Sequence, residues 1–362
     1  RGPSFWDDWS YSEHDANHGA AEYLSREAAA RHKVTEAFDT HAILRAGPKG
    51  AHLKRMSAKV ETKKKWRYFL MAMRYEAVPW GCGVWPALWM LSPDAEWPKG
   101  GEVDILEYAN DIGSRSSVHV DAVENRCRLD PALLTKPGCP QMVDAVFNFT
   151  GDYDCATSYP GRLGCAPNDL RQILSGEELA RHPSVIATEW TAEYLKVFRI
   201  PNGEIPVDLA ADAPRPDGWD RWLLAYYPFA ESERNIPGSC PNPGEVMKSQ
   251  RIMLNLGFCG DWASKVWASS TCANRGQTDS GPWSAKGPRL QTECVAVDPN
   301  NPEGEQPAGP RDCCTRFIYD EDGAYGTEGY LREHGFFNIS WVKVYQELPS
   351  EAEQRSPPQA RN

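Results

Sequence analysis

The chain has 362 residues, 41% hydrophobic and 25% charged, enough to bury the core of one large domain or two small ones and too apolar to be disordered throughout. Its longest apolar runs, such as 82–91, reach about half the length a bilayer span requires, and no charged-then-apolar leader precedes Arg1, so a processed chain without membrane insertion is expected. Lys and Arg total 39 against 50 Asp and Glu, a net charge of −11 with no dense basic stripe, so nucleic acid is repelled over most of the surface.

With 29 glycines, 29 prolines, 14 tryptophans and 14 tyrosines, most long helical windows are broken before they start, and an all-β chain follows. In chain order, an Ala-rich helix is predicted over 25–33. Strands follow over 55–61, 66–76, 84–91, 102–108, 116–122 and 145–149. A second helix is predicted over 175–181, where Ser175 and Glu178 have capping-box spacing. Further strands fall over 185–190, 194–200, 252–256 and 336–345. Many short strands between Gly/Pro turns point to a sandwich or barrel.

A single domain is expected over 1–346, with 264–328 as a disulfide-pinned insertion and 347–362 as a polar tail. Eleven cysteines without Cys-x-x-Cys or His-x-x-x-His spacing read as disulfides of a secreted protein, one thiol left over. Cys155 and Cys165, separated by Tyr159-Pro160-Gly161 and Gly164, are expected to pair. Two sequons, at Asn148 and Asn338, fit that compartment. No metal-ligand pattern is recognised, and neither a metal nor another cofactor is expected.

The most informative segment runs from Trp97 to Tyr108, where Glu102, Asp104 and Glu107 sit inside a β-branched, apolar run that normally excludes acids. In a regular strand Glu102 and Asp104 share a face and Glu107 points to the other. One bulge residue, at Ile105 or Leu106, shifts the parity and puts all three acids on one face. Two carboxyls at roughly 5 Å match retaining glycosidases, one attacking the anomeric carbon and the other protonating the leaving oxygen. The plainer alternative is a solvated edge strand whose acids face water.

Glu-x-Asp-x-x-Glu, preceded by Trp85-Pro86-Ala87-Leu88-Trp89-Met90-Leu91, resembles glycoside hydrolase family 16, in its laminarinase and endo-1,3(4)-β-glucanase branch. Asn17-His18-Gly19 with Tyr23, Ala187-Thr188-Glu189-Trp190-Thr191, and the stretch from Leu254 to Ala263 look like corresponding segments in the same order. The resemblance implies a concanavalin-like β-jelly-roll sandwich of two antiparallel sheets, with Glu102 as nucleophile, Asp104 assisting it and Glu107 as acid/base. It also implies that His119 lies near the catalytic centre, where the alternative is a surface histidine on an alternating strand. Trp85, Trp97 and Trp262 resemble cleft tryptophans, since pyranose C–H faces stack on indole. Trp89 and Trp190 are open between cleft and core, with Trp190 expected among the substrate contacts and Trp89 expected to act mainly through stability.

The implied activity is that of a secreted, monomeric, retaining endo-β-glucanase. Its partner would be a β-glucan polysaccharide or oligosaccharide, β-1,3-linked, with mixed β-1,3-1,4-glucan as a further candidate. A cell-wall transglycosylase on the same covalent intermediate is the alternative, and a catalytically silent glucan-binding protein a third.

Overall fold

The computed structural model describes residues 2–121, 127–135, 142–144, 153–158, 162–229, 239–240, 243–274, 294–296, 311–319 and 329–346. Two large, mainly antiparallel sheets face each other, the β-jelly-roll sandwich expected of the family. The first has the order β1 (Trp9–Tyr11), β6 (Lys59–Thr62), β18 (Arg251–Phe258), β8 (Val84–Leu91), β9 (Glu102–Glu107), β10 (Arg115–Asp121), β12 (Ala156–Ser158) and β13 (Arg162–Leu163). The second has the order β11 (Met142–Asp144), β14 (Pro167–Asp169), β17 (Leu223–Pro228), β16 (Tyr194–Pro201), β15 (Ser184–Trp190), β7 (Phe69–Ala77), β19 (Phe336–Tyr345), β4 (Ala42–Arg45) and β3 (Thr35–Ala37). A small parallel pair, β2 (Ala21–Tyr23) with β5 (Arg55–Ser57), stands apart from both.

Alternation decides which residues meet between the sheets. Val60, Leu88, Met90, Val103, Val118, Val120, Ile252, Leu254 and Leu256 point inward from the first sheet and are buried with Met71, Met73, Ile186 and Val197 of the second. A second apolar layer covers the outer face of the second sheet, where Leu209, Trp219 and Trp222 pack on Leu70, Ala187 and Phe198. Among the described residues, no such layer covers the outer face of the first sheet.

Helices decorate the sandwich. Arg26–Arg31 is capped by Ser25, and Gly176–Arg181 begins with the Ser175–Glu178 capping box read from the sequence. Five disulfides join Cys82 to Cys272, Cys127 to Cys240, Cys155 to Cys165, Cys259 to Cys314 and Cys294 to Cys313. The expected Cys155–Cys165 bond is therefore present. Cys139, the Asn148 sequon and the strand expected over 145–149 lie outside the described residues. Asn338 is half-buried on β19, between β4 and β7, rather than on a surface loop.

Candidate active site

Strand β9 has the bulge that the acid spacing required. Leu88 pairs with Leu106 and Trp89 with Asp104, so Ile105 is the extra residue, and β10 shows the same shift between Arg115 and Ser117. Ile105 and Leu106 stay in the core while Glu107 returns to the face of Glu102 and Asp104. Cross-strand partners share a face, so the register defines the concave surface. Leu91, Glu102 and His119 form one row, Glu61, Met253, Trp89, Asp104 and Ser117 the next, and Lys59, Asn255, Ala87, Glu107 and Arg115 a third.

Each carboxylate has its own partner. The Trp97 indole N–H donates to Glu102 Oε2, and the Trp85 indole N–H donates to Glu107 Oε1 at 2.8 Å. Asp104, only 4% exposed, accepts from Ser117 Oγ at 2.7 Å and lies 2.9 Å from His119 Nε2. The other ring nitrogen, Nδ1, is 3.1 Å from Thr157 Oγ1 on β12.

These surroundings split the protonation behaviour of the site. Burial, then the charge of Asp104, pushes the Glu102 carboxyl up to about 7, against His119, the Trp97 hydrogen bond and Lys59. Burial and Asp104 push Glu107 well above the ordinary carboxylate value, with Glu102 adding and the Trp85 hydrogen bond and His119 opposing. Burial of His119 favours the neutral ring, yet its hydrogen bond to Asp104 and the charges of Asp104, Glu102 and Glu107 prevail and raise it to about 9. Both carboxyls therefore hold a proton more tightly than an ordinary carboxylate. Such a pair can supply one proton donor and one attacking oxygen between them.

The tryptophans divide by strand parity and loop position. Trp85 is half-buried on the concave face and meets Trp262, of the short helix Gly260–Ala263, edge to face at 5.8 Å. Trp97 is 56% exposed beside Glu102. Trp89, expected to act through core stability, lies instead on the same outer face of the first sheet as the three acids. It is four residues from Trp85 on the same face, its N–H donates to Asn255 Oδ1 at 2.7 Å, and Lys59 Nζ sits 5.4 Å from its ring centre.

Trp190 is corrected in the other sense. It belongs to β15 in the second sheet, is 1% exposed, and packs edge-on against Tyr68 and Phe69. It is a core residue, with no face to offer a sugar in the cleft. Sequence reasoning missed Ser117, Thr157, Lys59 and Asn255. Ser117, two residues before His119, was visible from strand period alone, whereas Thr157 depends on a long-range parallel pairing.

A two-sheet sandwich with paired carboxylates on an open, tryptophan-lined face is the architecture of a polysaccharide-cleaving catalytic domain. The family profile described as "XgeA-like, catalytic GH16 domain" matches residues 9–289, and the chain belongs to that branch of glycoside hydrolase family 16. A probable glycosidase of Schizosaccharomyces pombe is 28% identical over 283 residues, covering 75% of this chain and 61% of that protein. The endo-1,3(4)-β-glucanase XgeA of Emericella nidulans is 30% identical over 223 residues, 60% of this chain and 31% of that protein. A probable endo-1,3(4)-β-glucanase of Neosartorya fischeri is 25% identical over 360 residues, 96% of this chain and 44% of its own length. The chain thus spans between about a third and three-fifths of these relatives. Among solved structures, laminarinase 16A of Phanerochaete chrysosporium superposes with a TM-score of 0.67 at 21% identity, covering 95% of this chain and 97% of that one. An elongating family 16 β-1,3-glucosyltransferase gives 0.67 at 22%, with the same coverage. Both have the fold in common with this chain.

Proposed function

We propose that the chain is the catalytic domain of an extracellular retaining endo-β-glucanase that cleaves β-1,3-glucan, with mixed β-1,3-1,4-glucan as a further substrate. The observation that carries this reading is the bulge at Ile105, which places Glu107 on the same face as Glu102 and Asp104. Ionised Glu102 attacks the anomeric carbon as Glu107 protonates the departing glycosidic oxygen, leaving a glycosyl ester on Glu102. Glu107, now ionised, takes a proton from water as that water attacks the same carbon, and Glu102 leaves as carboxylate. Asp104, held by Ser117 and His119, lies beside Glu102, and its charge raises the nucleophile's basicity. Trp85, Trp89, Trp97 and Trp262 supply the apolar platforms for the sugar rings.

Sizing the products from laminarin, lichenan, carboxymethylcellulose, agarose and xyloglucan tests substrate and cleavage mode together. Adding a high concentration of acceptor oligosaccharide separates hydrolysis from transglycosylation, because a sugar hydroxyl can intercept the ester in place of water. Azide assigns the two glutamates. Glu102→Ala should be inactive until azide restores turnover of an activated β-glucoside with an α-glycosyl azide as product. Glu107→Ala should give the β-glycosyl azide. Products of the opposite anomers would exchange the roles, and inverted sugar from the unmodified enzyme would overturn double displacement.

A further inference from the structure

Strands β12 and β13 form a small hairpin, with Thr157 paired to Leu163, that extends the first sheet beyond β10. It joins β10 in parallel, Val120 opposite Ala156 and Asp121 opposite Thr157. The Cys155–Cys165 disulfide closes its base, and Val118 and Cys165 exchange backbone hydrogen bonds at 2.9 and 3.0 Å. This hairpin bears directly on His119. Thr157 Oγ1 lies 3.1 Å from Nδ1. On the adjoining segment, Gly164 has φ +86°, and a Cβ there would stand 2.7 Å from Nδ1 and 2.4 Å from the Val118 carbonyl oxygen. Glycine is needed for both the backbone conformation and the close approach.

We propose that Thr157 is a positioning residue, which accepts a hydrogen bond from His119 Nδ1–H and so holds the ring as a double donor, its Nε2–H fixed on Asp104 beside the nucleophile. The role rests on the catalytic reading given above, but the hydrogen bond itself does not. The groups around the ring are Glu102, Asp104 and Glu107 on β9, Ser117 on β10 and Thr157 on β12. The acids stabilise the imidazolium by charge, and Asp104 accepts at Nε2. Thr157 is the hydrogen-bond partner at Nδ1, on the side that Gly164 closes. Without Thr157 Oγ1, a charged N–H would lose its acceptor in a half-buried site, and the neutral ring would gain. Asp104 would then face a ring free to turn.

The test pairs Thr157→Val with Thr157→Ser and follows the His119 ring by NMR titration, its signals assigned by their loss in His119→Gln. The valine variant should lower the His119 midpoint by about one unit, equivalent to one hydrogen bond to a charged group. It should also lower kcat by about tenfold with KM changed less than about twofold, and the serine variant should recover both. A His119 midpoint unmoved by valine, or a serine variant no better than valine, overturns the proposal. A measurement on the unmodified protein protects against a variant that fails to fold. There, His119 should remain an imidazolium at pH 7 with an exchange-protected Nδ1–H, and a neutral ring would equally overturn it. If the unmodified protein cleaves no glucan, the catalytic reading fails, while the titration still decides whether Thr157 holds His119.

Discussion

Glu107 and His119 carry opposite charges when ionised, yet their environments tilt stability in the same direction with pH. A carboxyl whose folded value is raised binds its proton more tightly in the folded chain, so the folded state loses ground as pH climbs from the unfolded carboxylate value through the folded one. For Glu102 that window runs from 4.5 to about 7, and Glu107, also raised well above 4.5, acts in the same direction. His119, raised from 6.5 to about 9, contributes stability that is complete below the lower value and lost through the upper. The site should therefore make the protein less stable from mildly acidic to mildly alkaline pH. Replacing Glu107 by Gln retains an oxygen to accept the Trp85 N–H and removes the buried ionisation, so thermal unfolding at about pH 8 should shift to higher temperature with a flatter pH dependence. A variant that melts lower than the parent at that pH would contradict this. The two relocated tryptophans give a paired expectation. Trp190→Ala should cost about 3–5 kcal/mol of stability, as for a buried aromatic ring. Trp89→Ala should chiefly raise KM for laminarin. Denaturant unfolding and steady-state kinetics on both variants check the assignment, and exchanged effects would reverse it.

At the scale of elements, β9 is the segment on which function turns. Deleting Ile105 restores regular pairing with β8, so Glu107 and everything beyond it must change face. Such a protein should lose the proposed glucanase activity and expose or strain the core below Tyr108, whereas Ile105→Val, which retains the extra residue, should keep it and cost about 0.5–1.5 kcal/mol. Activity and unfolding measured together distinguish a parity effect from simple loss of volume. The same arithmetic explains what could be read in advance. The bulge was legible because three acids with the wrong parity demanded one, and the bounds of Val84–Leu91 and Phe336–Tyr345 follow from unbroken apolar patterning. Trp89 is an even number of residues from Trp85 and so shares its face, but because sandwiches commonly bury a tryptophan the pattern leaves it open between cleft and core. Leu223–Pro228 reads apolar enough for a strand and was passed over, while three-residue strands such as Thr35–Ala37 owe their form to β4 beside them and have no signal of their own. Trp190 could not be placed from local pattern, because its burial comes from Tyr68 and Phe69 across a strand pairing.

Across the whole molecule, covalent links hold later chain to the first sheet's rim. Cys82–Cys272 joins the start of β8 to a segment 190 residues on, and Cys259–Cys314 joins the end of β18 to the helix Cys313–Tyr319. Arg55, 1% exposed, adds a hydrogen bond from Nε to the Ile318 carbonyl at 3.0 Å. Cys313 and Cys314 are neighbours in the chain, yet one bonds Cys294 and the other Cys259. That adjacency matters to anyone making the protein. During oxidation each of the two sulfurs competes for the partner of the other, and an exchanged pair would consume the same four thiols while pulling residues 294 and 259 toward the wrong side of one helix. Production therefore calls for a host compartment or refolding buffer that shuffles disulfides, since rapid oxidation alone can trap an isomer with the same number of bonds, which a count of free thiols would not reveal.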